Sequence, residues 1–97
     1  MTKHFNQLTE AQQERLAILI EECAEVAQAG CKILRHGYES NNKGTLPETN
    51  REALERELSD LFYTLYRMSE AGEINIDSIR AKALQGKKDI EKYLHHQ

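Results

Sequence analysis

Two segments decide how this chain folds: EECAE at residues 21–25 and ELSD at residues 57–60. In ELSD the first and last residues are carboxylates three positions apart, and EECAE has the same spacing between its second and fifth residues. Three residues rotate an α-helix by about 300°, so both members of each pair project from one side of the helix. Four carboxylates on two facing helices repel one another unless a cation lies between them. Hard cations that prefer oxygen ligands, Mg²⁺ above all, suit this arrangement.

Helical periodicity places these carboxylates at the border of apolar faces. At about 100° per residue, Glu22 lies inside the apolar face of the first helix, Glu25 at its edge and Glu21 beyond it. On the second helix, Glu57 borders a leucine-rich stripe and Asp60 lies just outside it. A carboxylate on an apolar face costs several kcal/mol unless it is paired, protonated or metal-bound. The pattern therefore favours a carboxylate cluster, the alternative being a glutamate at the rim of an ordinary helix pair. The apolar residues within about 60° of Glu22 are Ile18, Leu19, Val26, Ala29 and Ile33.

Length and charge narrow the class of protein. The 97 residues correspond to a single domain, 1–97. A net charge of -3 argues against a general nucleic-acid binder. No apolar run approaches the roughly 20 residues of a membrane span, and the polar N-terminus lacks a signal-peptide pattern. Cys23 and Cys31, about 12 Å apart along one helix, are too distant for a disulfide. We expect them to be reduced thiols in or near the core of a cytoplasmic protein.

The first helix has clear start and stop signals. Thr9 followed by Gln12 is a capping box, and the apolar helical pattern runs over residues 15–34. Gly37 is a natural C-terminal stop. A polar loop over residues 37–47 follows, and it is longer than most helix–helix connections, which is typical of functional loops.

Two further helices are predicted. The second runs from about residue 48 or 50 to residue 70, where Gly72 ends it, and the third runs from a cap at residue 75 or 77 to about residue 94, interrupted by Gly86. The fold class is therefore all-α with three main helices. The apolar arc of the first helix spans about 200°, which is more than one small chain can cover, so we expect at least a homodimer.

The order and spacing of the acidic motifs resemble those of the MazG-like all-α nucleoside triphosphate pyrophosphohydrolases. The shared pattern is Glu-Glu-x-x-Glu on one helix and Glu-x-x-Asp on the next. The flanks KILRHG at 32–37 and NR at 50–51 are similar to those of small MazG-like proteins common in bacteriophages. The resemblance covers about residues 8–94, and it implies an oligomeric helical bundle of the all-α NTP pyrophosphatase type.

The resemblance also implies a reaction and a set of site residues. The substrate would be a nucleoside triphosphate, hydrolysed to a monophosphate and pyrophosphate. Glu22, Glu25, Glu57 and Asp60 would be the ligands of Mg²⁺, which Mn²⁺ can replace. Glu21 and Glu22 would be catalytic, with Glu21 orienting or deprotonating the attacking water or holding a further metal.

The remaining expectations concern substrate contacts and assembly. Lys32 and Arg35 are the candidates to bind phosphates, and Tyr38, Tyr63 and Tyr66 could stack on a base or pack internally. The resemblance makes a homotetramer of paired dimers plausible beside a homodimer, with no membrane or nucleic-acid partner. The enzyme would act in the cytoplasm, or in the host cytoplasm if a phage encodes it.

Three alternative interpretations stay open. Phosphoribosyl-ATP pyrophosphohydrolase shares the reaction type and the small size. A non-enzymatic helical interaction module would neither bind Mg²⁺ tightly nor turn over triphosphates. A di-iron carboxylate bundle typically needs Glu-x-x-His pairs, and no His follows Glu25 or Glu57 at that spacing. The chain also has no glycine-rich phosphate loop with a lysine, which ordinary NTPases have.

Overall fold

The chain is helical throughout its regular structure. The computed structural model describes residues 5–86 and 88–97, and within these ranges it contains helices, turns and loops but no strand. No helix among these residues is long and apolar enough to cross a membrane. The elements are α1 (Glu10–His36), α2 (Asn50–Glu70), α3 (Ile76–Gln85) and a 3-10 helix (Lys88–Tyr93).

Helix α1 begins and ends as its sequence predicts. The Thr9 side chain accepts a hydrogen bond from the backbone N–H of Gln12, and the Gln12 side chain accepts one from the backbone N–H of Thr9. This capping box satisfies two amide groups that the helix cannot pair internally. At the other end Gly37 has φ +87° and its N–H donates to the carbonyl of Ile33. The positive φ suits glycine and stops the helix.

Helix α2 uses the same device at its start. Thr49 is the N-cap, and its side chain and that of Glu52 form a second capping box. The helix begins at Asn50, the second of the two predicted starts. After Glu70 the chain turns through Gly72, with φ +78°, and the Ser69 hydroxyl accepts a hydrogen bond from the N–H of Ile76. This turn leads directly into α3.

Helix α3 is shorter than predicted. Asn75 caps it, as expected, but it ends at Gln85 rather than near residue 94, and Gly86 follows with φ +78°. A 3-10 helix is present at Lys88–Tyr93. No residue of α3 is buried, so little packing is available to continue a helix past a glycine that costs about 1 kcal/mol relative to alanine. The predicted extension to residue 94 is wrong for this reason.

Helices α1 and α2 form an antiparallel pair that is fastened at both ends. Beyond the C-terminus of α2, Glu73 accepts hydrogen bonds from Arg15 near the start of α1, at 2.6 Å from Nη2 and 2.9 and 3.0 Å from Nε. At the opposite end, the buried Asn50 donates its side-chain amide to the carbonyl of Gly37 at 3.1 Å. Its backbone N–H also donates to the carbonyl of Ser40. These contacts set the register of the two helices.

The core of a single chain is thin. The buried apolar residues among those described are Ala29 and Met68, joined by the buried polar residues Asn50 and Thr64. Cys23 and Cys31 are unpaired, as predicted, but both are exposed, which corrects the expectation that they lie in or near the core. The reason is that the apolar arc of α1 is wider than α2 alone can cover.

Candidate metal centre

The two acidic motifs meet at the middle of the α1–α2 pair. Glu22 and Glu25 come from α1, Glu57 and Asp60 from α2, and each offers a carboxylate oxygen such that all four oxygens lie within 4.8 Å of one another. The three-residue spacing aims both members of each pair at one side of the helix, and the antiparallel register brings the two pairs together. We call these four residues the acidic cluster. The structure thus assembles all four residues that the sequence predicted as metal ligands.

Two of the four carboxylates are partly withdrawn from solvent. Glu22 is half-buried and the Glu57 side chain is only 13% exposed. Oε2 of each is buried and has no hydrogen-bond partner among the residues that the structure describes. The other oxygen of Glu57 accepts a hydrogen bond from Nη1 of Arg56 at 2.7 Å. Glu25 and Asp60 are exposed and complete the open side of the cluster. A buried carboxylate oxygen without a partner is costly, so these oxygens are suited to a ligand from outside the chain.

The close approach of the carboxylates shifts the pKa of one of them, Glu25. The pKa of Glu25 is raised above its ordinary value, first by the close approach of the Glu57 side chain and then by the negative charge of Glu22. The charge of Glu57, desolvation and the charge of Glu21 act in the same direction. The direction of this shift is the one expected when like charges crowd a site.

The residues of the acidic cluster fit a hard divalent cation. The donor set consists of carboxylate oxygens alone, which matches the preference of Mg²⁺, Mn²⁺ and Ca²⁺. A cation would provide the missing partner for the buried oxygens of Glu22 and Glu57 and would offset the repulsion between the two helices. The cluster can therefore hold a metal.

A groove adjoins the acidic cluster on the side toward the N-terminus of α1. Its volume is about 330 Å³, and Glu22 and Asp60 form its border with the cluster. We call it the side groove. Arg15 is held there by Glu73, while the exposed aromatic ring of Tyr63 and half-exposed Ile18 offer apolar surface. The other residues that line the side groove are Ala11, Glu14, Thr64 and Arg67.

The predicted phosphate-binding residues lie on the other side of the acidic cluster. Lys32 and Arg35 line a second pocket of about 210 Å³, together with His36 and Asn50. We call this the basic pocket. Both side chains are exposed, and the positive charge of Lys32 contributes to lowering the pKa of Glu48, a shift caused chiefly by a hydrogen bond from Arg56. The structure thus places Lys32 and Arg35 together in a pocket separate from the acidic cluster.

Two further charged residues, Glu21 and Arg56, lie next to the acidic cluster. Glu21 is exposed and lies close enough for its charge to raise the pKa of Glu25. Arg56, which was not among the predicted site residues, contacts Glu57 directly. A signal for Arg56 was present, since it precedes Asp60 by four residues and therefore shares its side of α2.

Comparison with known proteins agrees with this geometry. The sequence model of one family, Phosphoribosyl-ATP pyrophosphohydrolase, matches residues 2–85, which include the whole acidic cluster, the side groove and the basic pocket. Among curated proteins and solved structures, none matches this chain. The matched family lies within the MazG-like all-α NTP pyrophosphatase superfamily, as the sequence resemblance predicted. The chain therefore belongs to the phosphoribosyl-ATP pyrophosphohydrolase family and is a hydrolase of phosphorus-containing anhydrides.

Proposed function

We propose that this protein is a Mg²⁺-dependent nucleoside triphosphate pyrophosphohydrolase. It would convert a ribo- or deoxyribonucleoside triphosphate and water into the monophosphate and pyrophosphate, and Mn²⁺ could replace Mg²⁺. The observation that carries the proposal is the acidic cluster, in which two buried carboxylate oxygens lack a hydrogen-bond partner among residues 5–86 and 88–97. A triphosphate and four carboxylates repel each other, so the two can meet only through cations.

Each residue of the site has a defined task in this proposal. Glu22, Glu25, Glu57 and Asp60 would hold the metal. When bound, Mg²⁺ would supply the Lewis acidity that activates water and neutralises phosphate charge. Glu21, exposed at the edge of the cluster, would accept the proton of the attacking water or orient it toward the α-phosphorus.

The basic residues would position the phosphate chain. Lys32 and Arg35 lie together in the basic pocket, and both side chains are exposed. Phosphoryl transfer depends mainly on such positioning and on stabilising the charge that spreads over the phosphate oxygens. We therefore assign them to substrate binding.

A second candidate substrate is phosphoribosyl-ATP. The family match favours phosphoribosyl-ATP, because the family is named after the hydrolysis of this compound. Both reactions break the bond between the α- and β-phosphates, so the same cluster serves either. We place nucleoside triphosphates first because the flanks around residues 32–37 and 50–51 are similar to those of small MazG-like nucleotide-pool enzymes.

We further propose that the enzyme is at least a homodimer. The chain exposes 8079 Å² of surface, whereas a folded monomer of 11.2 kDa exposes about 5,700 Å². Its radius of gyration is 17.2 Å, compared with about 12.5 Å for a compact chain of this length. The excess surface matches what one subunit buries in a large obligate interface, about 1,000–2,500 Å². Exposed apolar side chains such as Ile20, Leu34 and Phe62 would be covered by a second copy.

The state of the two cysteines supports a proposal for the cellular location of the enzyme. Cys23 and Cys31 are unpaired and exposed, and exposed thiols persist in the reducing cytoplasm. We place the enzyme there.

One substrate panel tests the proposed activity. Purified protein is incubated with canonical and modified nucleoside triphosphates and with phosphoribosyl-ATP, in Mg²⁺ or in a chelator, and the products are separated by ion chromatography. We expect monophosphate and pyrophosphate from at least one triphosphate, and none with chelator. Cleavage of phosphoribosyl-ATP alone would favour the second candidate, and orthophosphate as the main initial product would refute the mechanism.

A further inference from the structure

Arg56 is held firmly at one end of the acidic cluster. Its Nη2 donates to Oε1 of Glu48 at 2.8 Å, and its Nε lies 3.2 and 3.3 Å from the two oxygens of the same carboxylate. Its Nη1 donates instead to Oε1 of Glu57 at 2.7 Å. Glu48 thus aims a guanidinium at a residue of the cluster, while about half of the arginine side chain stays exposed.

Lys32 adds a second positive charge at this end. It lies seven residues after Glu25, which places it on the same side of α1 and about 10.5 Å along the axis. Its charge, like that of Arg56, lowers the pKa of Glu48. The described residues that line the basic pocket include no acidic one. This end of the α1–α2 surface is therefore suited to a group with several negative charges.

The opposite end has a different chemical character. The side groove contains apolar surface from Ile18 and Tyr63, and the Tyr63 side chain is 64% exposed. The charge of Arg15 is compensated by Glu73, and the lining also contains one glutamate, Glu14, and one arginine, Arg67, whose charges are opposite. Such a groove suits a flat, largely uncharged ring better than a chain of phosphates.

We propose that the substrate lies along this surface in one direction, with its terminal phosphates at Arg56 and its nucleoside over Tyr63 in the side groove. The inference rests on the proposed function, because it assigns the two ends of a substrate that crosses the acidic cluster. Arg56 is then a substrate-binding residue for the pyrophosphate that leaves.

The contacts of Arg56 explain how it can serve this purpose. Glu48 holds Nη2 and Nε, and Nη1 carries two N–H groups, of which Glu57 takes one. The second N–H of Nη1 can therefore donate to a phosphate oxygen while the guanidinium stays in place. Guanidinium groups bind phosphate through several donors in a fixed plane. A donor placed on the leaving pyrophosphate stabilises the charge that develops there as the bond breaks.

The proposal predicts opposite effects of two substitutions on two ligands. Binding of pyrophosphate and of AMP, each with Mg²⁺, is measured by calorimetry for the wild type, Arg56→Gln and Tyr63→Ala. We expect Arg56→Gln to weaken pyrophosphate binding by about tenfold or more, as loss of a charged hydrogen bond does, and to leave AMP within about twofold. Tyr63→Ala should weaken AMP by about tenfold, as loss of base stacking does, and leave pyrophosphate within about twofold.

Arg51→Gln is the matched control. Arg51 is as exposed as Arg56 and also pairs with a carboxylate, Glu39 at 2.7 Å, but it precedes Asp60 by nine residues and so lies on the opposite side of α2. We expect it to bind both ligands like the wild type. Equal weakening of both ligands by Arg56→Gln, no weakening, or the same loss of pyrophosphate in Arg51→Gln would overturn the proposal.

Two further measurements separate this inference from the proposed function. Mg²⁺ affinity is measured without nucleotide, and Arg56→Gln should bind the metal at least as tightly as the wild type, because it removes a competing cation. A loss of Mg²⁺ affinity would refute the role of Arg56 as a phosphate ligand. If no triphosphate is hydrolysed, the proposed function fails, yet the calorimetric comparison of pyrophosphate and AMP still decides the orientation.

Discussion

Glu22 and Glu57 present carboxylate oxygens within 4.8 Å of each other across the α1–α2 pair, and each has a buried oxygen to which no described residue donates a hydrogen bond. Burying an acceptor without a partner costs about 1–3 kcal/mol, and more when the group is charged. Fold stability alone gives no reason to place two such oxygens together. A bound cation would explain why the two oxygens lie together, and the first prediction follows from this explanation.

Glu22→Gln should abolish metal binding and activity while the helices persist. Losing a metal that supplies several kcal/mol of transition-state stabilisation lowers kcat/KM by at least about 100-fold. In the wild type, Mg²⁺ at 100 times its Kd should raise the free energy of unfolding by about 2.7 kcal/mol, and this gain should be absent in the variant. Calorimetry measures Mg²⁺ binding, and turnover assays measure activity. Circular dichroism measures helix content and, during denaturation, the free energy of unfolding.

The control for this experiment is Glu70→Gln, which alters an exposed glutamate at the end of α2. It should keep both the metal-induced stabilisation and the activity. Full activity in Glu22→Gln would contradict the assignment of the acidic cluster.

Glu21→Gln should separate proton transfer from metal binding. Glu21 is exposed beside the cluster, and we assign it to the attacking water rather than to the ligand set. Loss of a general base lowers kcat by about 10²–10⁴-fold, whereas Mg²⁺ affinity should stay within about twofold. If Mg²⁺ affinity falls as much in this variant as in Glu22→Gln, Glu21 is a metal ligand instead.

Labelling with oxygen-18 identifies the phosphorus atom that water attacks. When hydrolysis is run in water enriched in oxygen-18, the label should appear in the nucleoside monophosphate and not in pyrophosphate. The reason is that an attacking water at the α-phosphorus leaves its oxygen there. Mass spectrometry of both products gives the answer, and label in pyrophosphate would indicate attack at the β-phosphorus.

The contact between Arg15 and Glu73 predicts how stability depends on pH. Hydrogen bonds from Arg15 hold the pKa of Glu73 below its ordinary value of 4.5. A carboxyl whose pKa is lower in the folded state stabilises the fold above its unfolded pKa, and this contribution is lost as the pH falls through the folded pKa. Glu73→Gln should therefore be less stable than the wild type at pH 7, and the difference should shrink below about pH 4.5. Urea denaturation across this range measures it, and a difference independent of pH would contradict the prediction.

The last prediction concerns the oligomeric state of the protein in solution. Light scattering at micromolar concentration should give at least twice the 11.2 kDa chain mass. Phe62, about half exposed and on the side of α2 away from Asp60, is a candidate contact, and Phe62→Glu should shift the population toward monomer and lower Tm. A well-behaved monomer of the wild type would refute the homodimer proposal.

Much of the site could be predicted from the sequence because its geometry follows from helix periodicity. The position of Glu22 inside an apolar face and of Glu57 beside a leucine stripe already indicated that the two motifs meet. The ion pair of Arg56 with Glu48 could not be predicted, since it depends on how the loop before α2 returns to the helix. The exposed cysteines and the short α3 were missed for a related reason: periodicity identifies an apolar face but does not reveal how much of it one chain can cover.

The antiparallel pairing of α1 and α2 gives the acidic cluster an approximate twofold symmetry. Each helix contributes two carboxylates one turn apart, so exchanging the helices leaves nearly the same set of carboxylates. A pseudosymmetric set of carboxylates cannot by itself impose a direction on an asymmetric substrate. In our proposal, direction comes from the residues that break the symmetry, Arg56 on one side and Tyr63 on the other. Substrate preference can then diverge through changes at the flanks while the four carboxylates stay the same.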